Sequence, residues 1–252
     1  MALTKIGKEG ITGISNSSDA NAITIDSSER VGIGTSPNAK LDIKDDSNST
    51  QAILRGRSSD NFGILDFRNN AGDTVKGQVK SDASSNLILR AGPTNDALKI
   101  DTNGHVTKPL QPAFSAHKNN STQSNLAENT DVTITFGTER FDVNSDYNTS
   151  TSTFTAPVTG KYFLSVTLRF AQLDVDANYH IIWIDTSNET YRFIVDPNFS
   201  ADLNFYSMTA TVLADMDAND VALVKFNQGV GSAIADVSGS PSYSYFTGCL
   251  IC

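Results

Sequence analysis

Three short clusters alternate carboxylate and amide side chains: Asp142-Val-Asn-Ser-Asp146, Asp174-Val-Asp-Ala-Asn178 and Asp215-Met-Asp-Ala-Asn219. Oxygens on alternate residues can converge on one side, which is what a hard cation such as calcium requires. None of the clusters has Gly at the sixth position or Glu at the twelfth, although Asp185 stands twelfth after Asp174. Solvated turns are spelled with the same residues. Asp174, Asp176 and Asn178 are therefore calcium candidates set against a plain reading as turn residues, and no other cofactor is expected.

Other chemistry is poorly supplied. The histidines, His105, His117 and His180, do not converge in sequence, and neither a Ser/His/Asp arrangement nor His-Glu-x-x-His is present. Cys249 and Cys252 form one Cys-x-x-Cys, but a zinc site needs a second pair, and residues three apart on a strand face opposite ways. Gly32-x-Gly34 lacks the third Gly, or the Gly-Lys-Ser/Thr, of a phosphate loop. No catalytic residue is expected, and the chain reads as a non-enzyme. Carboxylates brought together by folding would be needed for polysaccharide cleavage, so a host-surface depolymerase remains an alternative.

The elements that must position these residues are short strands joined by polar turns. Ser, Thr, Asn and Asp are frequent, and no stretch holds apolar residues at helical spacing. No apolar run approaches the roughly 18 residues of a membrane span, and MALTKIGKEG contains no apolar leader segment. The chain changes character at Lys108-Pro-Leu-Gln-Pro112. Of 13 Phe, 7 Tyr and 1 Trp, only Phe62 and Phe67 precede that point. Of 19 Lys/Arg and 28 Asp/Glu, 13 and 13 lie in residues 1–111, leaving 6 and 15 for residues 112–252 and placing the whole net charge of -9 there. An acidic second half and a neutral first half disfavour nucleic acid.

Residues 22–111 carry an internal repeat: Ala22-Ile-Thr-Ile-Asp-Ser-Ser-Glu-Arg-Val31 and Ala97-Leu-Lys-Ile-Asp-Thr-Asn-Gly-His-Val106. Each reads as a strand, an Asp-led turn and a second strand beginning at Val. Two or three small aliphatics per strand cannot enclose a core in one chain. Either several chains share a narrow interior, which is the favoured reading, or the units stack as a solenoid within one chain. Arg30-Val-Gly-Ile-Gly-Thr-Ser-Pro-Asn-Ala-Lys-Leu-Asp-Ile43 resembles a segment common in bacteriophage tail fibres and related virion proteins. Gly32 and Gly34 would permit close approach between chains, with Pro37 turning the backbone. Residues 1–21 are polar, reading as a frayed end or, in the light of that resemblance, as a virion anchor.

Residues 112–252 show about nine alternating strands, from Ala113-Phe-Ser-Ala116 to Tyr243–Ile251, at the spacing of an antiparallel sandwich or jelly roll. Phe136, Asp142, Tyr147, Phe154, Gly160 and Tyr162 stand as F-x5-D-x4-Y-x6-F-x5-G-x-Y. This is similar to the signature of the globular head of the complement q subcomponent, a family with the tumour-necrosis-factor-like jelly roll. Pro112-Ala-Phe-Ser-Ala116 resembles its opening strand, and Tyr245-Phe-Thr-Gly-Cys-Leu-Ile251 its closing one. The resemblance implies core roles for the motif aromatics and a homotrimer packed around a threefold axis. From about Leu173 to Asn204 the chain departs from the family pattern.

The expected fold class is thus all-β: a trimeric β-rich fibrous shaft followed by a jelly-roll head. The expected role is a phage virion fibre, anchored at residues 1–21 to tail, baseplate or capsid proteins. Its head would meet a host-surface glycan or protein through loops around Tyr147, Asp174–Tyr179 and Asn198–Tyr206, the last including Phe199. A purely structural decoration fibre without receptor role is the second alternative.

Overall fold

The computed structural model describes residues 23–44, 50, 52–232 and 234–252. The anchor assigned to residues 1–21 lies outside the described residues. Every regular element among the described residues is a β-strand, as polar turns and alternating aliphatics lead one to expect. The chain divides into two compact units, Met1–Ile64 and Leu65–Cys252.

In the first unit, β1 (Ile23–Ile25) pairs antiparallel with β2 (Val31–Ile33), and β2 pairs parallel with β3 (Leu41–Ile43). Asp26 builds the hairpin between β1 and β2: its carboxylate accepts the N–H groups of Ser28 and Arg30 at 2.9 and 3.1 Å. Glu29 takes the left-handed conformation the turn requires, with φ 58°. The close approach that Gly32 allows is made by the chain to itself, since a Cβ there would lie 2.9 Å from Pro37 Cδ.

A five-stranded sheet follows, in the second unit but for its first residue: β4 (Ile64–Arg68), β5 (Val75–Ser81), β6 (Leu87–Ala91), β7 (Asn95–Ile100) and β8 (Val106–Thr107), in that order across the sheet. The Asp26 turn recurs at Asp101, whose carboxylate accepts from Asn103 and His105 N–H. A third copy sits at Asp82, accepting from Ser84 and Asn86 N–H. Leu87 and Leu89 share a face with their cross-strand partners Val79, Leu98 and Ile100. They remain 46 and 43% exposed.

Twelve strands follow: β9 (Ala113–His117), β10 (Val132–Thr133), β11 (Thr138–Val143), β12 (Tyr147–Asn148), β13 (Thr153–Thr155), β14 (Gly160–Ala171), β15 (His180–Thr186), β16 (Thr190–Val195), β17 (Tyr206–Met216), β18 (Val221–Gln228), β19 (Asp236–Val237) and β20 (Tyr245–Leu250). They form two sheets, β11-β9-β20-β14-β17 with β19 on β14, and β12-β13-β18-β15-β16 with β10 on β18. Apart from β12-β13 and β15-β16, adjacent strands are not consecutive in sequence, as in a jelly roll. Alternate residues Tyr162, Leu164, Val166, Leu168 and Phe170 of β14 are buried against Ala222, Val224 and Phe226 of β18 in one continuous core.

Candidate functional site

The six motif residues lie in or beside that core. Phe114 stacks on Phe154 and Tyr147 with ring centroids 4.7 and 5.0 Å apart, and Phe154 meets Tyr162 at 5.5 Å. Phe136 is fully buried beside Phe246. The Tyr162 hydroxyl donates to Val158 O at 2.7 Å, and burial raises its pKa. Asp142 is a turn residue: its carboxylate accepts the N–H groups of Asp146 and Tyr147 at 3.1 and 2.9 Å. Between them Asn144 and Ser145 hold positive φ. Gly160 admits the chain end, since a Cβ there would lie 2.6 Å from both Leu250 Cδ1 and Cys252 O.

The three loops proposed for contact fall into two places. Tyr147 is itself buried, so its neighbours face solvent, lining a polar cavity of about 540 Å³ with Ser145, Asp146, Thr149 and Asn219. Burial, with the charge of Asp142 adding to it, pushes the Asp146 carboxyl above its ordinary pKa. The Asp174–Tyr179 and Asn198–Tyr206 loops lie together near the Gln228 end of β18. Leu173 and Leu203 exchange backbone hydrogen bonds, and Asp202 accepts from Val175 N–H. Phe199 packs on Tyr206 with centroids 5.6 Å apart.

Asp174 is buried, with its carboxylate turned to the backbone. It accepts the N–H groups of Asp176 at 2.8 Å and Ser232 at 2.6 Å. Asp176 and Asn178 are exposed. Among the described residues, no group of three or more His, Cys, Asp or Glu side chains is arranged to hold a metal ion. Cys249, half-buried in β20, and the exposed Cys252 are both free thiols.

Two surfaces of the sandwich went unsuspected in the sequence. On the outward face of β14, Phe163 is flanked by Leu213 of β17 and Cys249 of β20, with Phe163 40% and Leu213 59% exposed. Above that apolar row runs a hydroxyl ladder, Ser165–Thr211 at 3.0 Å and Thr167–Thr209 at 3.1 Å. Arg169 then lies over Tyr243 and Phe205. On the outward face of the other sheet, Trp183 of β15 stands between Arg192 of β16 and Lys225 of β18. Lys225 is paired with Asp185 at 2.6 Å, whereas Arg192 lies over the indole ring, 5.7 Å from its centroid. Trp183 and Arg192 border a cleft of about 210 Å³ that Asp131, Tyr179, Ile181 and Asn227 complete. Strand register creates both surfaces, and only the alternation of β14 hints at either.

The globular domain of zebrafish complement 1qA protein is similar in structure, with 18% identity and a TM-score of 0.41 over 56% of this chain and 98% of that one. Eiger TNF from S. frugiperda has 15% identity and a TM-score of 0.43, covering 56% and 94%. Murine APRIL at pH 8.0 has 11% identity and a TM-score of 0.41, covering 56% and 99%. No curated protein matches the sequence. Among the described residues, no helix is long and apolar enough to cross a membrane. The C1q domain family model matches residues 113–251, from the first strand of the sandwich through its last and over more than half of the sequence. By that match, the chain belongs to the C1q domain family.

Proposed function

We propose that the chain is a trimeric fibre of a phage particle whose jelly-roll head recognises the host surface. The observation that carries this reading is apolar surface that one chain leaves uncovered. Leu87 and Leu89 protrude from the shaft sheet, and the Phe163–Leu213 row protrudes from the head. Soluble monomers seldom leave such patches open, and a threefold arrangement covers them on every copy at once. C1q and tumour-necrosis-factor-like domains commonly form homotrimers and are generally non-enzymatic binding modules. The assignment to a phage rests on the resemblance of Arg30–Ile43 to tail-fibre segments. In this reading residues 1–21 attach to other virion proteins and the head faces a host glycan or protein. In this reading the Asp174 carboxylate serves its own loop by accepting two backbone N–H groups, and no cation is invoked.

Light scattering on the purified chain tests the assembly. Three copies of 27.0 kDa give about 81 kDa, and a 27.0 kDa species overturns the proposal. The particle that carries the chain supplies the second test. Purified trimer should compete with it for host cells, and a trimer that neither binds the cells nor slows infection removes the adhesive role.

A further inference from the structure

The cleft beside Trp183 holds more polar groups than its own residues satisfy. Asn227 donates to Asp131 Oδ1 at 2.7 Å, which leaves Asn227 Oδ1 buried without a donor. The Arg192 guanidinium makes no hydrogen bond or ion pair among the described residues, and neither does the Tyr179 hydroxyl. Arg192 is exposed and is held over the indole ring by cation–π attraction. Trp183 is only 3% exposed, so it serves as the floor beneath Arg192. The faces of Tyr179 and Ile181 complete the apolar lining.

A ligand for this cleft must accept from a guanidinium, donate to an amide oxygen and a carboxylate, and lay a C–H face on Tyr179 and Ile181. An anion would meet Asp131 within the cleft and a chain of net charge -9. A cation would meet Arg192, with Lys225 on the far side of the indole. A purely apolar ligand would strand the guanidinium and the amide oxygen without partners. A neutral sugar ring carries hydroxyls that both donate and accept beside apolar C–H faces. The cleft admits about one such ring, and Arg192, exposed and lying over the indole, can turn its guanidinium toward a ring hydroxyl; donation to Asn227 Oδ1 requires the cleft side chains to yield.

We infer that the Trp183–Arg192 cleft is a binding site for a neutral hexopyranose unit of a surface glycan. This rests on the adhesive reading above and narrows it to one side of the head. The chain has a single Trp, so emission excited selectively at tryptophan reports on this cleft alone. The full chain is titrated with the methyl pyranosides of glucose, galactose and mannose, and with glucuronate and N-acetylneuraminate as anionic controls. At least one neutral sugar should shift Trp183 emission saturably, with half-saturation of the order of 1 mM, the weak end of the affinity scale suited to a shallow site. Arg192→Ala should weaken that response at least tenfold without lowering the melting temperature. Tyr179→Phe, which removes only a hydroxyl, should weaken it several-fold.

Three results overturn the inference: no saturable response to any neutral sugar, an undiminished response in Arg192→Ala, or a response confined to the anionic sugars. Host-cell binding separates the two readings. If Arg192→Ala loses the sugar response yet the trimer binds cells undiminished, adhesion stands and the cleft is not its site. If sugars bind but the trimer ignores cells, the cleft stands and the adhesive reading falls.

Discussion

His180 is buried with one nitrogen occupied and one not. Its Nε2–H donates to Asp174 O at 2.8 Å, while Nδ1 has no partner and the ring stacks on Phe226. Protonation would add a second buried donor with nothing to accept it. Burial accordingly holds the imidazole below its ordinary pKa, against the opposing pull of Asp174. A group whose folded pKa is depressed gives stability that is present above the unfolded value and lost as pH falls through the folded one. The melting temperature should therefore decline on acidification below about pH 6.5, the unperturbed histidine value. His180→Gln, which keeps a donor for Asp174 O but cannot titrate, should flatten that part of the profile; an identical profile in the variant would refute the assignment. At this scale the motif residues were legible because their spacing carried them. Asp174 and His180 were not, since both sit in the stretch from Leu173 to Asn204 where the family pattern lapses and burial depends on a loop folding back onto Ser232.

The hairpin turns show what sequence reveals about elements. Two copies of the Asp-led turn were readable from the repeat, because Ala, Ile, Asp and Val recur around Asp26 and Asp101. The Asp82 copy has the same bonds without the flanking spelling, so the repeat does not reveal it. Depressed carboxylate pKa values at all three have a shared local cause, the side chain four residues on: Arg30 for Asp26, Asn86 for Asp82 and His105 for Asp101. Strand β11 went unread because its register slips between Glu139 and Phe141, which spoils the alternation. Closing strand β20, by contrast, was legible in place, the expected Tyr243–Ile251 overrunning the observed Tyr245–Leu250, and its glycine has a measurable role. A Cβ at Gly248 would lie 2.6 Å from Leu164 Cδ2 and 2.7 Å from Phe114 Cε1. Gly248→Ala should cost about 1–3 kcal/mol by overpacking, seen as a lower midpoint in denaturant titration; an unchanged midpoint would mean that Phe114 can yield.

For the whole molecule, the trimer proposal turns on how much apolar surface one chain leaves exposed. The change of composition at Lys108–Pro112 announced two kinds of structure, but the compact unit that contains the head begins at Leu65 and includes the five-stranded sheet. Composition registers aromatic cores and is blind to a sheet whose aliphatics, such as Leu87 and Leu89, stay half-exposed. Substituting a charge into the head's exposed row tests that dependence. Leu213→Glu places a carboxylate beside Phe163 on a face that is already solvated in one copy, so folding should survive while trimers dissociate. The scattering mass should then fall toward 27.0 kDa with the strand signature in circular dichroism retained; a trimer of unchanged mass would place the interface elsewhere.

Strand β20 has one more effect, and it concerns time. It lies between β9 and β14 at the centre of its sheet, and Thr247 bonds Phe114 O across 133 residues of chain. During synthesis β9 and β11 emerge early but have no sheet to join until residues 245–250 have left the ribosome. The head therefore closes late, through contacts of long sequence separation that make folding slow. Until then its half-built sheet presents an open edge to whatever lies nearest. On a polysome making several copies, what lies nearest is another copy of the same chain, the partner that the proposed trimer would need.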